Sequence, residues 1–317
     1  MTMNWLRRTA VLAACASAAL LTACGSSSVE SAFTPTRIVS FGDALSDVGQ
    51  TGTRFTINDG STNVWTQQFA ASYGTTLTAA SAGGQGYARG NARVLNSPDA
   101  AGFAATLTVK QQIDAFLAAD KVGSGDMVVL NGGISDVIAN MAAVNAGTMT
   151  TEQMITASRQ AGTDFAAQIR RLVNAGAKYV VVAGTYDLSK TPWATDIGRT
   201  TVLNSASSAF NEGLLVGIVD LGANVLYVDL AYYVNLYTSS PSAYGFENAT
   251  KAVCTSVDAT DGIGIGAGKV NSALCTTSTL LASANQDKYA FADSVYLTPS
   301  AQRQFGTYAY DRLRSRW

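Results

Sequence analysis

The residues best suited to chemistry lie in two short blocks at opposite ends of the chain. Residues 41–49 read Phe-Gly-Asp-Ala-Leu-Ser-Asp-Val-Gly, and residues 291–299 read Phe-Ala-Asp-Ser-Val-Tyr-Leu-Thr-Pro. A hydroxyl nucleophile is usually activated by an imidazole that takes its proton. The 317 residues of the chain include no histidine. The two blocks therefore offer carboxylates and hydroxyl groups but not the usual base for activating a hydroxyl.

Both blocks resemble signature blocks of the SGNH (GDSL) lipase/esterase family. The first is similar to that family's Gly-Asp-Ser-Leu block, with Ala44 where the family has its nucleophilic serine. The last is similar to the family's Asp-x-x-His block, with Asp293 retained and Tyr296 at the position of the histidine base. The resemblance covers nearly all of the chain after Thr36 and is closest to the secreted bacterial phospholipase/esterase branch.

Two further blocks of the family have counterparts that bear on the oxyanion hole. The second block's glycine, whose backbone N–H helps form that hole, maps onto Gly90 within residues 87–94. The third block, Gly-x-Asn-Asp, maps onto residues 133–136, so that Ser135 stands where the family has its oxyanion asparagine. The backbone N–H groups of Ala44 and Gly90 do not depend on side-chain identity. The resemblance therefore implies that an anion-facing pair of N–H groups persists.

The altered positions predict that ester hydrolysis is lost. A tyrosine with an ordinary pKa near 10 supplies almost no phenolate at neutral pH, so Tyr296 is expected to be a poor base. Without an imidazole to orient, Asp293 is expected to accept a hydrogen bond from the Tyr296 hydroxyl or from a backbone group, because an unpaired buried carboxylate is costly.

Three functional interpretations follow from these blocks. The leading one is a pseudoenzyme with the family's fold that binds a small acyl or glycan ligand without cleaving it. The first alternative is an acyl-ester hydrolase that acts with non-standard residues, since Asp43, Gly90, Asp136 and Asp293 are retained. The second alternative is a structural envelope lipoprotein without a ligand.

The pattern of apolar residues indicates the fold that must position these blocks. Short apolar runs at 37–41, 127–130, 179–182 and 225–228 alternate with longer segments of helical periodicity. This alternation indicates parallel strands connected by helices. With the family resemblance it predicts an α/β fold: a three-layer α/β/α sandwich around a central parallel sheet of about five strands, flavodoxin-like as in SGNH hydrolases. Sites in such folds lie beyond the carboxyl ends of the strands, where residues 42–44 are placed.

The first residues are typical of an export signal. Arg7 and Arg8 precede an apolar stretch at 10–21 that is too short to span a membrane. Leu-Thr-Ala-Cys-Gly at 21–25 resembles a bacterial lipobox, which predicts a signal peptide over 1–23 and lipidation of Cys24; an ordinary signal peptide is the alternative. We expect a flexible tether over 24–36 and a single domain over 37–317. The protein is expected to be an exported lipoprotein that acyl chains anchor to the outer membrane. Gly25 after the cysteine favours the outer membrane, by resemblance to other lipoproteins.

Two cysteines remain after the leader. Cys254 and Cys275 form an even pair, which in an oxidising compartment predicts a disulfide. This pair lies in an insertion at 238–289 that is rich in Gly, Ser, Thr and Asn. An insertion of this length is either a lid or a stapled surface loop.

Composition limits the partners. The chain has 21 Lys and Arg against 22 Asp and Glu, without a basic stripe, which argues against nucleic acid. Two lone cysteines without histidine do not supply tetrahedral metal ligation, and no cofactor is predicted. The expected partners are a membrane, through the lipid anchor, and a small acyl or glycan ligand. The sequence does not indicate an oligomeric state.

Overall fold

The computed structural model describes residues 33–62 and 64–317. The predicted signal peptide, Cys24 and most of the predicted tether lie outside those residues. Thr34–Leu313 form one compact unit. None of the helices described is both long and apolar enough to cross a bilayer.

Four parallel strands form the central sheet in the order β1-β2-β3-β4. They are β1 (Arg37–Phe41), β2 (Asp126–Asn131), β3 (Tyr179–Ala183) and β4 (Val225–Tyr227). Their register aligns Phe41 with Leu130 and Leu130 with Val182. Every residue of β2 is buried, because helices cover both faces of the sheet. The predicted parallel α/β sandwich is confirmed.

The sheet has four strands in the described residues rather than about five, and its outer edge explains the difference. Beside β1, the N–H of Ser40 donates to Gln85 O at 3.0 Å and the N–H of Tyr87 donates to Ser40 O at 2.8 Å. This pairing amounts to a single parallel bridge between Ser40 and Gly86. The surrounding Gly-Gly-Gln-Gly sequence has little side-chain surface to extend the pairing, so this edge forms a one-residue bridge and not a further strand.

Eight α-helices are described, two of which pack closely on one face of the sheet. They are α1 (Trp65–Ser72), α2 (Val109–Ala119), α3 (Ile134–Asn145), α4 (Thr151–Asn174), α5 (Pro192–Asp196), α6 (Thr200–Ile218), α7 (Leu230–Ser239) and α8 (Pro299–Arg314). The rings of Phe165 on α4 and Phe210 on α6 lie 6.1 Å apart. Both rings join a core with Val128 and Val182 of the sheet, which fixes these helices on that face.

Helices α1, α7 and α8 are held together by aromatic contacts. Trp65 of α1 packs against Phe305 of α8 with ring centroids 5.2 Å apart. Tyr233 of α7 stacks on Tyr308 of α8 at 4.5 Å. The hydroxyl of Tyr237 also donates to Ala301 O at 2.9 Å. These contacts hold the three helices together as one group.

The insertion at 238–289 has some regular structure and is joined to the domain. It contains β5 (Asn248–Ala252), which pairs in parallel with β6 (Tyr289–Phe291). Cys254 and Cys275 form the predicted disulfide, with a Cα–Cα distance of 5.9 Å. Both cysteines pack in a small apolar cluster with Ile57 and Ala292. The disulfide therefore cross-links the insertion, and the insertion packs against the rest of the domain through this cluster.

Candidate functional site

Ala44 begins a short 3₁₀ helix at the carboxyl end of β1 (Ala44–Ser46). The chain reaches it through Gly42, whose φ of 147° requires glycine and where a Cβ would lie 2.5 Å from Asn131 Oδ1. Ala44 is fully buried. The position of the family's nucleophile is therefore occupied by a methyl group in the protein interior.

A chain of hydrogen bonds fixes the turn around Ala44. Asn131 at the end of β2 donates through Nδ2 to Asp43 Oδ1 at 2.7 Å, and Ser46 Oγ donates to Asn131 Oδ1. Trp65 Nε1 in turn donates to Ser46 Oγ at 3.0 Å. Because Ser46 is both donor and acceptor in this chain, it holds the turn and does not replace the missing nucleophile.

The role of Asn131 was not predicted from the sequence. The sequence feature that could have indicated this role is a single polar residue directly after the apolar run of β2. That residue lies at the edge of the sheet where a site is expected. Burial raises the pKa of Asp43, while the Asn131 amide and the backbone N–H of Leu45 oppose that rise. Asn131 therefore supplies part of the compensation for a carboxyl group that is fully buried.

Asp293 uses both of its oxygens on backbone groups. Oδ1 accepts from the N–H groups of Val295 at 2.7 Å and Tyr296 at 2.6 Å. Oδ2 accepts from the N–H of Ser272 at 3.0 Å. Asp293 was expected to accept a hydrogen bond from the Tyr296 hydroxyl or from a backbone group, and it accepts from backbone groups. Burial raises the pKa of Asp293, against the effect of these hydrogen bonds.

Tyr296 is fully buried, and its hydroxyl lies near the Ser135 side chain without a well-formed hydrogen bond to any of the residues described. Burial raises its pKa well above the usual value, and the charges of Asp43 and Asp293 add to that rise. The nearby Ser135 side chain acts in the opposite direction. A phenol in this environment stays protonated at any physiological pH, so it does not serve as the base that the family's histidine provides.

The N–H of Gly90 is not directed at an open oxyanion site, contrary to the expectation from the family blocks. It donates to Asp47 Oδ2 at 2.8 Å. The other Asp47 oxygen accepts from the N–H groups of Gly49 and Gln50 at 2.8 and 2.9 Å. The ring of Phe55 also lies directly against Gly90, in the space that a Cβ there would occupy. The Gly90 N–H is therefore already paired with a carboxylate of the protein.

The third block lies in the first turn of α3. Ser135 is fully buried, and its hydroxyl lies near Tyr296 without a well-formed hydrogen bond within the described part of the chain. Asp136 Oδ2 accepts from the N–H of Val94 at 2.9 Å, and its Oδ1 lies 3.5 Å from Arg93 Nε. Burial raises the pKa of Asp136 to about 6, with the Arg93 charge opposing the rise. The retained aspartate of this block ties the second block to α3.

The insertion reaches the site at two points. The N–H of Ser272 donates to Asp293, as described, and Asn91 Nδ2 donates to Gly262 O at 2.8 Å. Asn91 has a φ of 60°, a left-handed conformation that asparagine tolerates better than most residues. Asn91 was not among the residues predicted from the sequence. The feature that could have indicated it is its position directly after Gly90.

The structure brings most of the predicted site residues into one buried cluster. Tyr296 is close enough to Ser135, Asp43 and Asp293 for each to affect its pKa. Gly90 is separated from Tyr296 by Phe55, whose ring packs on both. A cavity of about 240 Å³ opens beside Asp47, Phe55 and Gly90. The fold and the block positions thus define an α/β protein of the hydrolase type whose reacting positions are occupied by apolar or unactivated groups.

Comparisons with known proteins give the family. The sequence profile of the GDSL-like lipase/acylhydrolase family matches residues 38–308, and the chain belongs to that family. A protein of Pseudomonas putida, described as an uncharacterized protein in the trpE-trpG intergenic region, is 27% identical over 157 residues. The match covers 50% of this chain and only 25% of that protein. A solved crystal structure aligns with a TM-score of 0.48 and 14% identity, over 89% of this chain and 98% of the other.

Proposed function

We propose that this chain is a member of the family that has lost ester hydrolysis and binds a ligand beside the altered site. The observation that carries the proposal is the complete burial of Ala44, Ser135 and Tyr296, the three altered positions. A substrate ester has to contact the nucleophile, the base and the oxyanion donors at once. Fully buried side chains do not offer that contact.

The remaining polar groups also support loss of hydrolysis. The Gly90 N–H and both oxygens of Asp293 are already paired within the protein. Removing a member of a serine-hydrolase triad leaves only residual catalysis, about 10³–10⁴ over water, which comes from binding and the oxyanion hole. Here the oxyanion donor at Gly90 is occupied as well, so we expect even this residual activity to be small.

The proposal is tested with the purified protein and short-chain nitrophenyl esters. We expect turnover no faster than that of a heat-denatured sample, and no covalent adduct with a fluorophosphonate probe. Saturable turnover, or an adduct on a serine of the described domain, would refute loss of hydrolysis. A mass spectrum of the probe-treated protein reads out the adduct directly and identifies the modified residue.

We further propose that Cys24 carries acyl chains that hold the domain at the outer membrane. Acyl chains bind a bilayer through buried methylene groups, and stable anchoring takes more than one chain. The supporting observation is the Leu-Thr-Ala-Cys-Gly sequence at 21–25. Expression of the full chain with an alkyne-bearing fatty acid tests it: label should be present in the wild type and absent in Cys24→Ala. Equal labelling of the two proteins would contradict the anchor.

A further inference from the structure

A cavity of about 430 Å³ opens on the other side of the first sequence block, between the loop 60–62 and the segment 75–79. Val48 and Gly49, the last two residues of that block, line it together with Arg54. Its volume lies within the range of about 300–1,000 Å³ that is usual for small-molecule sites. The cavity is therefore large enough to take a small ligand beside the altered site.

Arg54 is the only charged residue among the described residues that line this cavity. Its Nε donates to Val48 O at 3.3 Å, and its backbone N–H donates to Asn58 Oδ1 at 2.9 Å. These two bonds hold the residue in the cavity wall. The bond to Val48 uses one of the five N–H donors of the guanidinium, a group whose planar fork matches the two oxygens of a carboxylate. An anionic group is therefore the complement of this wall.

The acidic residues next in sequence to the lining do not themselves line the cavity. Asp59 accepts from the N–H of Ser61 at 2.9 Å and from Gln286 Nε2 at 2.7 Å. Asp47 is buried and accepts three backbone N–H groups, as described above. A bound anion would thus meet the Arg54 charge without a carboxylate in the lining beside it. One positive charge favours a ligand with one negative charge.

Hydroxyl groups line the side of the cavity that is open to solvent. Thr75, Thr76 and Thr78 all lie at exposed positions in its wall. None of their hydroxyls forms a hydrogen bond with another residue in the described part of the chain. Because these side chains are exposed, water pairs with the hydroxyls when the cavity is empty, and a ligand oxygen can replace that water.

The buried residues of the lining are apolar. Val48, Leu77 and Ala79 are each at most 5% exposed, and they form the inner side of the cavity. An apolar group that packs against this inner side is removed from water, which favours binding. The ligand that fits the lining therefore combines a singly charged anionic end with a short apolar end.

We propose that this cavity binds a small monocarboxylate. The carboxylate accepts from the Arg54 guanidinium and from a threonine hydroxyl of the segment 75–78, and the apolar end packs on Val48 and Leu77. This assignment rests on the proposed ligand binding beside the altered site and names its ligand class. A neutral sugar would not use the charge of Arg54. A phosphate dianion would exceed that charge and would leave the apolar inner side without a partner.

Ligand-observed NMR with the full chain at neutral pH tests the assignment. The probes are butyrate, butyramide and inorganic phosphate. Butyramide has nearly the same size and shape as butyrate but no charge, so the pair isolates the contribution of the carboxylate. We expect saturable binding of butyrate, binding of butyramide that is at least about tenfold weaker, and binding of phosphate that is weaker than that of butyrate.

Substitutions in the cavity wall locate the binding site. Arg54→Gln should weaken butyrate binding about tenfold, which corresponds to about 1.4 kcal/mol. At least one of Thr75→Val, Thr76→Val and Thr78→Val should weaken it about threefold, since valine keeps the shape of threonine and removes the hydroxyl.

The controls separate loss of the site from loss of the fold. Arg199→Gln and Thr201→Val, both at exposed positions elsewhere, match the two kinds of substitution and should bind butyrate as the wild type does. A melting curve of each variant shows whether it is folded. The comparison of butyrate with butyramide uses the unaltered protein, so it decides the assignment even where a variant is unstable.

The assignment would be overturned by equal binding of butyrate and butyramide, by tighter binding of phosphate, or by the absence of butyrate binding. Butyrate binding that is unchanged in folded Arg54→Gln, or in all three threonine variants, would overturn it as well. The ester and fluorophosphonate assays decide the loss of hydrolysis separately. Ester turnover with intact butyrate binding would refute only that loss, and the absence of both turnover and butyrate binding would refute only the ligand assignment.

Discussion

The ring of Phe55 meets the ring of Tyr296 edge to face, with centroids 5.5 Å apart, and its other side lies against Gly90. Phe55 thereby connects the position of the family's base with the position of its oxyanion glycine. Both are parts of the molecule that a substrate ester would have to reach together. In the proposed loss of hydrolysis, Phe55 therefore covers the site in addition to the replaced side chains.

This relationship predicts that restoring the family's residues will not suffice for activity. The variant with Ala44→Ser, Ser135→Asn and Tyr296→His should remain at least about tenfold slower than the same variant with Phe55→Ala added, a difference of about 1.4 kcal/mol in the barrier. Nitrophenyl ester hydrolysis measures both, and a melting curve shows that each is folded. Equal rates would mean that Phe55 does not obstruct the site. Single reversions should do little, because triad effects are strongly non-additive.

Asp136 predicts a particular dependence of stability on pH. Its pKa in the folded protein is about 6, above the usual value, because it is buried. The folded state therefore holds this proton more tightly than the unfolded state. The resulting stabilisation is fully present below the unfolded pKa of about 4 and is lost as the pH rises through about 6, an effect of up to about 3 kcal/mol. The free energy of unfolding should be larger at pH 5 than at pH 7.

Urea unfolding at a series of pH values checks this prediction. Burial also raises the pKa of Asp43 and Asp293, which adds to the trend with the same sign. Asp136→Asn should make the dependence between pH 4 and pH 6 clearly flatter, since one of these groups no longer titrates. Asp196→Asn, at an exposed position, is the control and should leave the slope unchanged. A slope in Asp136→Asn equal to that of the wild type would contradict the assignment.

The sequence was sufficient to predict the parallel sheet, the alternating helices and the disulfide between Cys254 and Cys275. Each depends on a local pattern: a buried strand shows a continuous apolar run, and a helix shows a repeat every three to four residues. The predicted number of about five strands was not matched by a fifth strand in the described sheet, whose edge beside β1 has only a bridge at Gly86.

The covering of the site could not be predicted in the same way. Phe55 lies in an irregular segment whose path is set by contacts with Gly90 and Tyr296, residues distant in sequence. The bond between the Gly90 N–H and Asp47 and the bond between Asn91 and Gly262 also join different loops. Such contacts follow from tertiary packing, and block positions alone carry no information about which donors are already paired.

The unpaired hydroxyl of Tyr296 leads to a stability prediction. A buried hydroxyl without a partner costs free energy, so Tyr296→Phe should raise the free energy of unfolding by about 1 kcal/mol. Tyr237→Phe is the matched comparison, because its buried hydroxyl donates to Ala301 O, and it should lower stability by about 1 kcal/mol. Urea unfolding at one pH measures both. Destabilisation of Tyr296→Phe by as much as Tyr237→Phe would show that the Tyr296 hydroxyl has a partner after all.

The disulfide should stabilise both the fold and the part of the insertion that contacts the site. Cys254 and Cys275 are 21 residues apart, and closing a loop of that length contributes about 3 kcal/mol on the chain-entropy model. The loop contains Gly262 and Ser272, the partners of Asn91 and Asp293. Replacing both cysteines with serine should lower the free energy of unfolding by about that amount.

Hydrogen exchange separates the local effect of the disulfide from the global one. In the double Cys→Ser variant, the amide of Ser272 should exchange much faster, because the loop that holds it against Asp293 is no longer closed. The amides of β2 and β3, which are buried in the sheet, should retain exchange that is limited by global unfolding. If the Ser272 amide were to exchange at the rate of the sheet amides in the variant, packing alone would hold the insertion in place.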